Sequence, residues 1–178
     1  HLPQIDGRSK GNLLDLAAVI ALEEGDLDLS YDLIRAALQG VSASPGTSKG
    51  EFLVTLGRIK LAQRRTEEAV AALRESVAIL ETGFNYVDFL QALSFLAMAL
   101  KDAGEWHEAA HCSERAVNLL TSHGDYAYRP QEIYWNHYLV MRDHKESVAL
   151  HALSRAYRVV TRRASHLGAR MRRRYLST

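Results

Sequence analysis

The chain has 178 residues, of which 47% are hydrophobic and 24% charged, and its formal net charge is +1; this composition buries a real core and excludes disorder throughout. Its 11 glycines and 3 prolines are too few for a β-rich fold, which needs a turn about every 8–12 residues. Cys112 stands alone, no basic-then-apolar leader precedes the first helix, and no apolar run approaches the roughly 18–20 residues that cross a bilayer, so the expectation is a soluble, cytoplasmic, all-helical protein.

Taken in chain order, the periodicity predicts helices near 10–24, 28–40, 50–63, 66–81, 86–103, 106–121, 129–142 and 146–164, with a short helix at 167–176. They group into hairpins over about 11–40, 50–81, 90–121 and 129–163, all within one domain covering 1–178. In the first hairpin Leu14, Ala17 and Ala18 line one face before the turn, and Ser30, Ile34 and Ala37 line a face after it. The Ser-, Pro- and Gly-bearing stretch Val41–Ser48 that follows is the connection expected to be most flexible. The second hairpin carries Leu53, Leu56 and Gly57, then Ala69, Leu73 and Ser76. The third carries Leu93, Leu96, Ala97 and Leu100, is broken by Gly104, and resumes with Ala109, Ser113 and Ala116. Small residues on the second helices let two backbones approach closely. The fourth departs: Asn136 and His137 occupy the places of a leucine and a small residue, so either its frame slips by one residue or it packs differently.

Each hairpin turns through an equivalent segment, ending at Ser30, Ala69, Ala109 and Ala149, and these anchors are spaced by 39, 40 and 40 residues. A constant interval of this size marks stacked supersecondary units that cannot bury their apolar faces alone. Leu56-Gly57, Leu96-Ala97, Gly104-Glu105-Trp106 and the downstream alanines resemble the tetratricopeptide repeat over roughly residues 11 to 163. The interval exceeds the standard repeat of about 34 and is similar to that of the sensor regions of large bacterial MalT-type signalling ATPases and transcription regulators. The resemblance implies a right-handed α-solenoid of about four hairpins with a C-terminal capping helix. It further implies a non-catalytic interaction or sensor module of a bacterial regulator, coupled to other domains. The chain opens on His1 rather than Met, which predicts a piece of a longer polypeptide. Burying a leucine at such a joint stabilises by roughly 1.5–3 kcal/mol.

Several motifs invite chemistry. His107-Glu108-Ala-Ala-His111 matches the zinc-peptidase pattern of two histidines one turn apart with a glutamate base. No third ligand follows in His-x-x-Gly-x-x-His form, and Glu108-Ala109 is what the repeat already requires at that place, as Glu68-Ala69 shows. Both histidines lie about 200° around the helix from Ala109, toward solvent. His137, His144 and His151 recur every seven residues, but a turn interrupts them. Gly40–Lys49 lacks the spacing and the preceding strand of a phosphate-binding loop, and no Gly-x-Ser-x-Gly elbow exists. Cys112 lies where a small, partly buried thiol is usual. No cofactor or metal is expected.

Charge is segregated: Arg155 to the end holds eight arginines and no acid, whereas the remainder carries 14 basic and 21 acidic residues. A solvated cap with an apolar seam (Tyr157, Val159, Val160, Leu167, Met171, Tyr175, Leu176), a docking surface for an acidic neighbour, and a nucleic-acid contact are the three readings of that tail. In stacked hairpins the first helices line the concave side. Projected here, the lining comprises Asp15, Val19, Arg58, Ser94, Met98, Lys101, Tyr134, Tyr138 and Arg142, a mixture suited to a peptide or protein segment. Tyr134 and Tyr138 have a second reading, as packing against a neighbouring helix. The partner is expected to be protein, with a second copy of the chain as a further possibility; a membrane is excluded and nucleic acid disfavoured.

Overall fold

A computed structural model describes residues 7–41, 46–83 and 85–176. Within them the chain folds as α1 (Gly7–Glu24), α2 (Leu27–Val41), α3 (Thr47–Ala62), α4 (Thr66–Glu81), α5 (Tyr86–Asp102), α6 (Trp106–Ser122), α7 (Pro130–Met141), α8 (Glu146–Ser165) and α9 (Ala169–Leu176). No strand occurs among the described residues. Successive pairs form antiparallel hairpins and each hairpin packs on the next, giving an α-solenoid. No described helix is long and apolar enough to cross a membrane. Of the segment compared with a phosphate-binding loop, Gly40 and Val41 close α2 and Thr47–Lys49 open α3, while 42–45 lie outside the described residues.

The turns explain the regular interval. Gly25 and Gly104 end their helices at φ 85° and 81°, and Arg64 holds the equivalent left-handed position at 58°. That geometry lets the next backbone N–H reach back to close the helix: Asp26 to Ala21, Arg65 to Lys60 and Glu105 to Leu100, each at 2.9 Å. The fourth turn closes without a left-handed residue, Lys145 donating to the Met141 carbonyl at 2.7 Å.

Close approach within a hairpin depends on small residues. A Cβ added to Gly57 would lie 2.4 Å from Leu73 Cγ, so α3 and α4 cross there only because position 57 has no side chain. The buried hydroxyls of Ser30 and Ser76 donate to the carbonyls of Ala18 and Gly50, both at 2.7 Å, tying second helix to first. Between hairpins the joints are apolar. Phe52 and Ile59 of α3 pack with Ala18, Ile34 and Ala37; Leu73, Leu96, Leu100, Ala109 and Val140 form the next cluster; Leu90, Leu93, Leu120, Ile133 and Val159 close the stack.

The fourth hairpin keeps the register rather than slipping, since Ala149 is buried like Ala109. Its packing is polar. Asn136 Nδ2 donates to Ser94 Oγ at 3.0 Å, and His137 Nδ1 lies 3.0 Å from Ser113 Oγ. Because the Ser113 hydroxyl donates to the Ala110 carbonyl, the imidazole is the donor in the second pair. Burial pushes His137 below its ordinary pKa, which favours the neutral ring over the imidazolium. Two side chains that break the repeat pattern thus find partners on α5 and α6, the neighbours that a leucine and a small residue would otherwise meet.

Candidate functional site

The first helices α1, α3, α5 and α7 line one side of the stack, and between them lies a cavity of about 280 Å³. Asp15 and Val19 reach it from α1, Arg58 from α3, Asp88 from α5, Glu132 from α7 and Arg129 from the turn before it. Three of the sequence-predicted residues, Asp15, Val19 and Arg58, are therefore brought together here.

Its electrostatics are those of crowded, partly desolvated carboxylates. Burial pushes Asp88 up to about 6, helped by the negative charge of Glu51, while Asn85 partly offsets the rise by hydrogen bonding to it. Asp15 is raised by burial and again by Glu51, against a hydrogen bond from Thr55. Its Oδ1 is buried with no hydrogen-bond partner among the described residues. Glu132 is raised by burial, although Arg58 and Arg129 pull it back. The two arginines are themselves engaged at one edge of the groove: Arg58 Nη2 and Arg129 Nη1 meet the same Glu23 oxygen at 3.1 and 2.9 Å, and the Arg58 guanidinium lies 5.0 Å from the Phe95 ring centre. Arg58 and Arg129 act on Asp15 and Glu132 only from a distance, and none of Asp15, Glu51, Asp88 and Glu132 forms an ion pair among the described residues. A cation entering there would relieve carboxylate repulsion that the chain itself leaves in place.

The other predicted lining residues lie elsewhere. Ser94 is buried and accepts the hydrogen bond from Asn136, so it belongs to the joint between hairpins rather than to the groove. Tyr134 is also buried; its hydroxyl donates to Asp125 and receives Arg155 Nη2 at 2.7 Å, on the opposite side of α7. Met98 packs against the α4–α6 cluster. Lys101 pairs with Asp102 at 3.6 Å and Arg142 with Asp143 at 3.5 Å, while Tyr138 lies against Trp135 with ring centres 5.2 Å apart. None of these lines the cavity. The projection advanced one column too far along the helices. The column that does line the groove, Asn12, Glu51 and Gln91, recurs at the same 39- and 40-residue intervals as the anchors and was readable from them.

A second cleft of about 450 Å³ lies on the outer side between α6 and α8, lined by Val117, Asn118, Val148, His151 and Arg155 among others. Ser113 and His137 lie beneath it, but the serine hydroxyl is turned to a backbone carbonyl and does not face the ring as a nucleophile would. His107 and His111 are exposed. Glu108, the base of the zinc-peptidase pattern, is drawn into an ion pair with Arg74 at 2.7 Å, and no group of three metal-capable side chains occurs among the described residues. Burial raises the Cys112 thiol above its ordinary pKa, which suppresses the thiolate.

The arginine tail is partly absorbed by the fold. Arg155 is held by Asp125 and Tyr134, Arg163 by the Ala127 and Tyr128 carbonyls and Gln131, and Arg172 by the Ala164, Ser165 and Leu167 carbonyls. Arg158, Arg162, Arg170 and Arg173 are exposed.

No protein-family model matches the sequence, and no curated protein is similar enough to count as a match. Among solved structures, the Rap conjugation gene regulator of the plasmid pLS20, in complex with the Phr* peptide, is similar with a TM-score of 0.66 at 19% identity. The likeness covers 84% of this chain and 42% of the regulator, so the chain spans less than half of that protein's length. At this identity the likeness establishes the helical-repeat fold.

Proposed function

We propose that the chain is a non-catalytic recognition module whose concave groove binds an extended peptide or protein segment and reports that occupancy to the rest of a bacterial regulatory protein. The observation that carries this reading is the groove itself: one cavity assembled from four separate first helices, lined by charged and polar side chains, with carboxylates that form no ion pair among the described residues. A ligand bound there touches all four hairpins and so fixes their relative positions, which is what a sensor must do to be read elsewhere. The raised carboxylates favour a ligand that presents a lysine, an arginine or an amino terminus. The similar fold of a regulator solved with its peptide supports the choice of ligand class. Glu108 held by Arg74, and a Ser113 hydroxyl that donates to the Ala110 carbonyl rather than to His137, support a non-catalytic role. A cytoplasmic setting and kinship with MalT-type regulators belong to this proposal.

Screening short peptides of graded charge by fluorescence anisotropy tests it. Basic peptides should bind, and an Asp15→Asn, Glu51→Gln variant should weaken them at least about tenfold, the order of one charge-assisted contact. A Val117→Glu change in the outer cleft should leave them unaffected. Binding that ignores the groove changes and responds to Val117→Glu would reject the concave site.

A further inference from the structure

The interior joints reveal what the two end faces of the stack are built to receive. Within the repeat, Phe52 and Ile59 of α3 are 1% and 0% exposed because the α1–α2 hairpin packs on them. Counted back by the 39-residue interval, their equivalents on α1 are Leu13 and Ile20, which are 56% and 51% exposed; Leu16, between them, is equally open. These three residues fall within about 60° of one helix face, opposite the α1 core residues. At the other end, Ala110 of α6 is buried by the following hairpin together with Met141 and Ala149. Its equivalent one interval on, Leu150 of α8, is 54% exposed, and Tyr157, equivalent to the partly buried Val117, is 69% exposed. Here each end offers the half of a joint that the other end lacks.

Charge agrees with this pairing. The first hairpin, Gly7–Val41, holds six acidic and three basic residues, whereas the last, Pro130–Ser165, holds three acidic and six basic ones. An acidic first hairpin and a basic last one attract each other, and two like ends repel.

We propose that the chain associates head to tail with a second copy of itself, the α7–α8 end of one molecule receiving the α1–α2 end of the next and continuing the stack across the boundary. Such a contact joins two different surfaces, so it leaves one end of each kind open and adds further copies rather than stopping at a pair. It is independent of whether the groove binds a peptide.

Sedimentation velocity over a concentration series, with circular dichroism to verify folding, provides the test. The wild-type chain should grow beyond dimers, and more weakly in high salt. A Leu13→Glu, Ile20→Glu variant and a Leu150→Glu, Tyr157→Glu variant, all at exposed positions, should each be monomeric. Mixed together they should form a one-to-one dimer and nothing larger, because one intact face of each kind remains. Overturning results are a monomeric wild type at every concentration, assembly that stops at dimers, salt-insensitive assembly, or a mixture of the two variants that fails to associate.

Discussion

Replacing Gly57 with alanine sets two effects of known sign against each other. In an exposed helix, glycine to alanine stabilises by about 1 kcal/mol. At this site the new methyl carbon would stand 2.4 Å from Leu73 Cγ and 2.7 and 2.9 Å from its two methyls. The nearest atom is the branch point rather than a free end, and Leu73 is fully buried, so it has nowhere to swing. Overpacking costs about 1–3 kcal/mol, and so short an approach to a buried branch carbon falls in the upper part of that range, at roughly 2–3 kcal/mol, so the balance is a destabilisation of roughly 1–2 kcal/mol, or about 2–8 °C in Tm for a chain of this size. Urea denaturation with linear extrapolation measures it. Gly40, with open space around its Cβ, serves as the control and should gain up to about 1 kcal/mol on the same change. The double variant with Leu73→Ala should lose less than the two single losses combined, because the truncated side chain makes room. A neutral or stabilising Gly57→Ala would refute the account of how these two helices cross.

Leu96→Ala, in the largest apolar cluster, should cost about 2–5 kcal/mol in the same assay, far more than Leu150→Ala on the exposed end face. Arg64→Gly should stabilise by about 1 kcal/mol, since an L side chain is disfavoured at φ 58°; no gain in Tm would contradict that turn geometry. Asp88 gives a pH dependence of definite sign. Its folded pKa lies above the ordinary 3.8, at about 6, so the native state holds the proton more tightly and stability falls as pH rises through that window. Asp88→Asn should flatten this part of the profile and add about 1 kcal/mol at pH 7, a figure reduced for partial solvent screening; chemical denaturation at pH 4.5, 6 and 7.5 reads it.

The interval of 39 to 40 residues was legible because the same steric demand recurs: Ala69, Ala109 and Ala149 must all be small where a second helix meets its partner. Helix number and order followed from that demand, and so did the placing of Gly25 and Gly104 at turns. Arg64 in the same conformation was not readable, because nothing in an arginine announces a left-handed backbone. The fourth hairpin was obscure for a different reason. Asn136 and His137 violate an apolar pattern, and only their partners Ser94 and Ser113, 42 and 24 residues away, make them consistent with it. The groove was half legible. Asp15, Val19 and Arg58 were found from helix phase, but phase alone does not say how far along each helix the cavity extends, so Met98, Lys101, Tyr138 and Arg142 were included while Glu51, Asp88 and Glu132 were missed.

Glu23 binds Arg58 of the neighbouring hairpin and also Arg129, 106 residues further on. A linear array passes a disturbance only from each unit to the adjacent one, whereas this carboxylate joins the first unit directly to the approach to the fourth. That direct link is ionic and partly open to water, so it weakens as the electrolyte concentration rises. Dissolved ions thereby tune how firmly the first hairpin is tied to the segment just before α7.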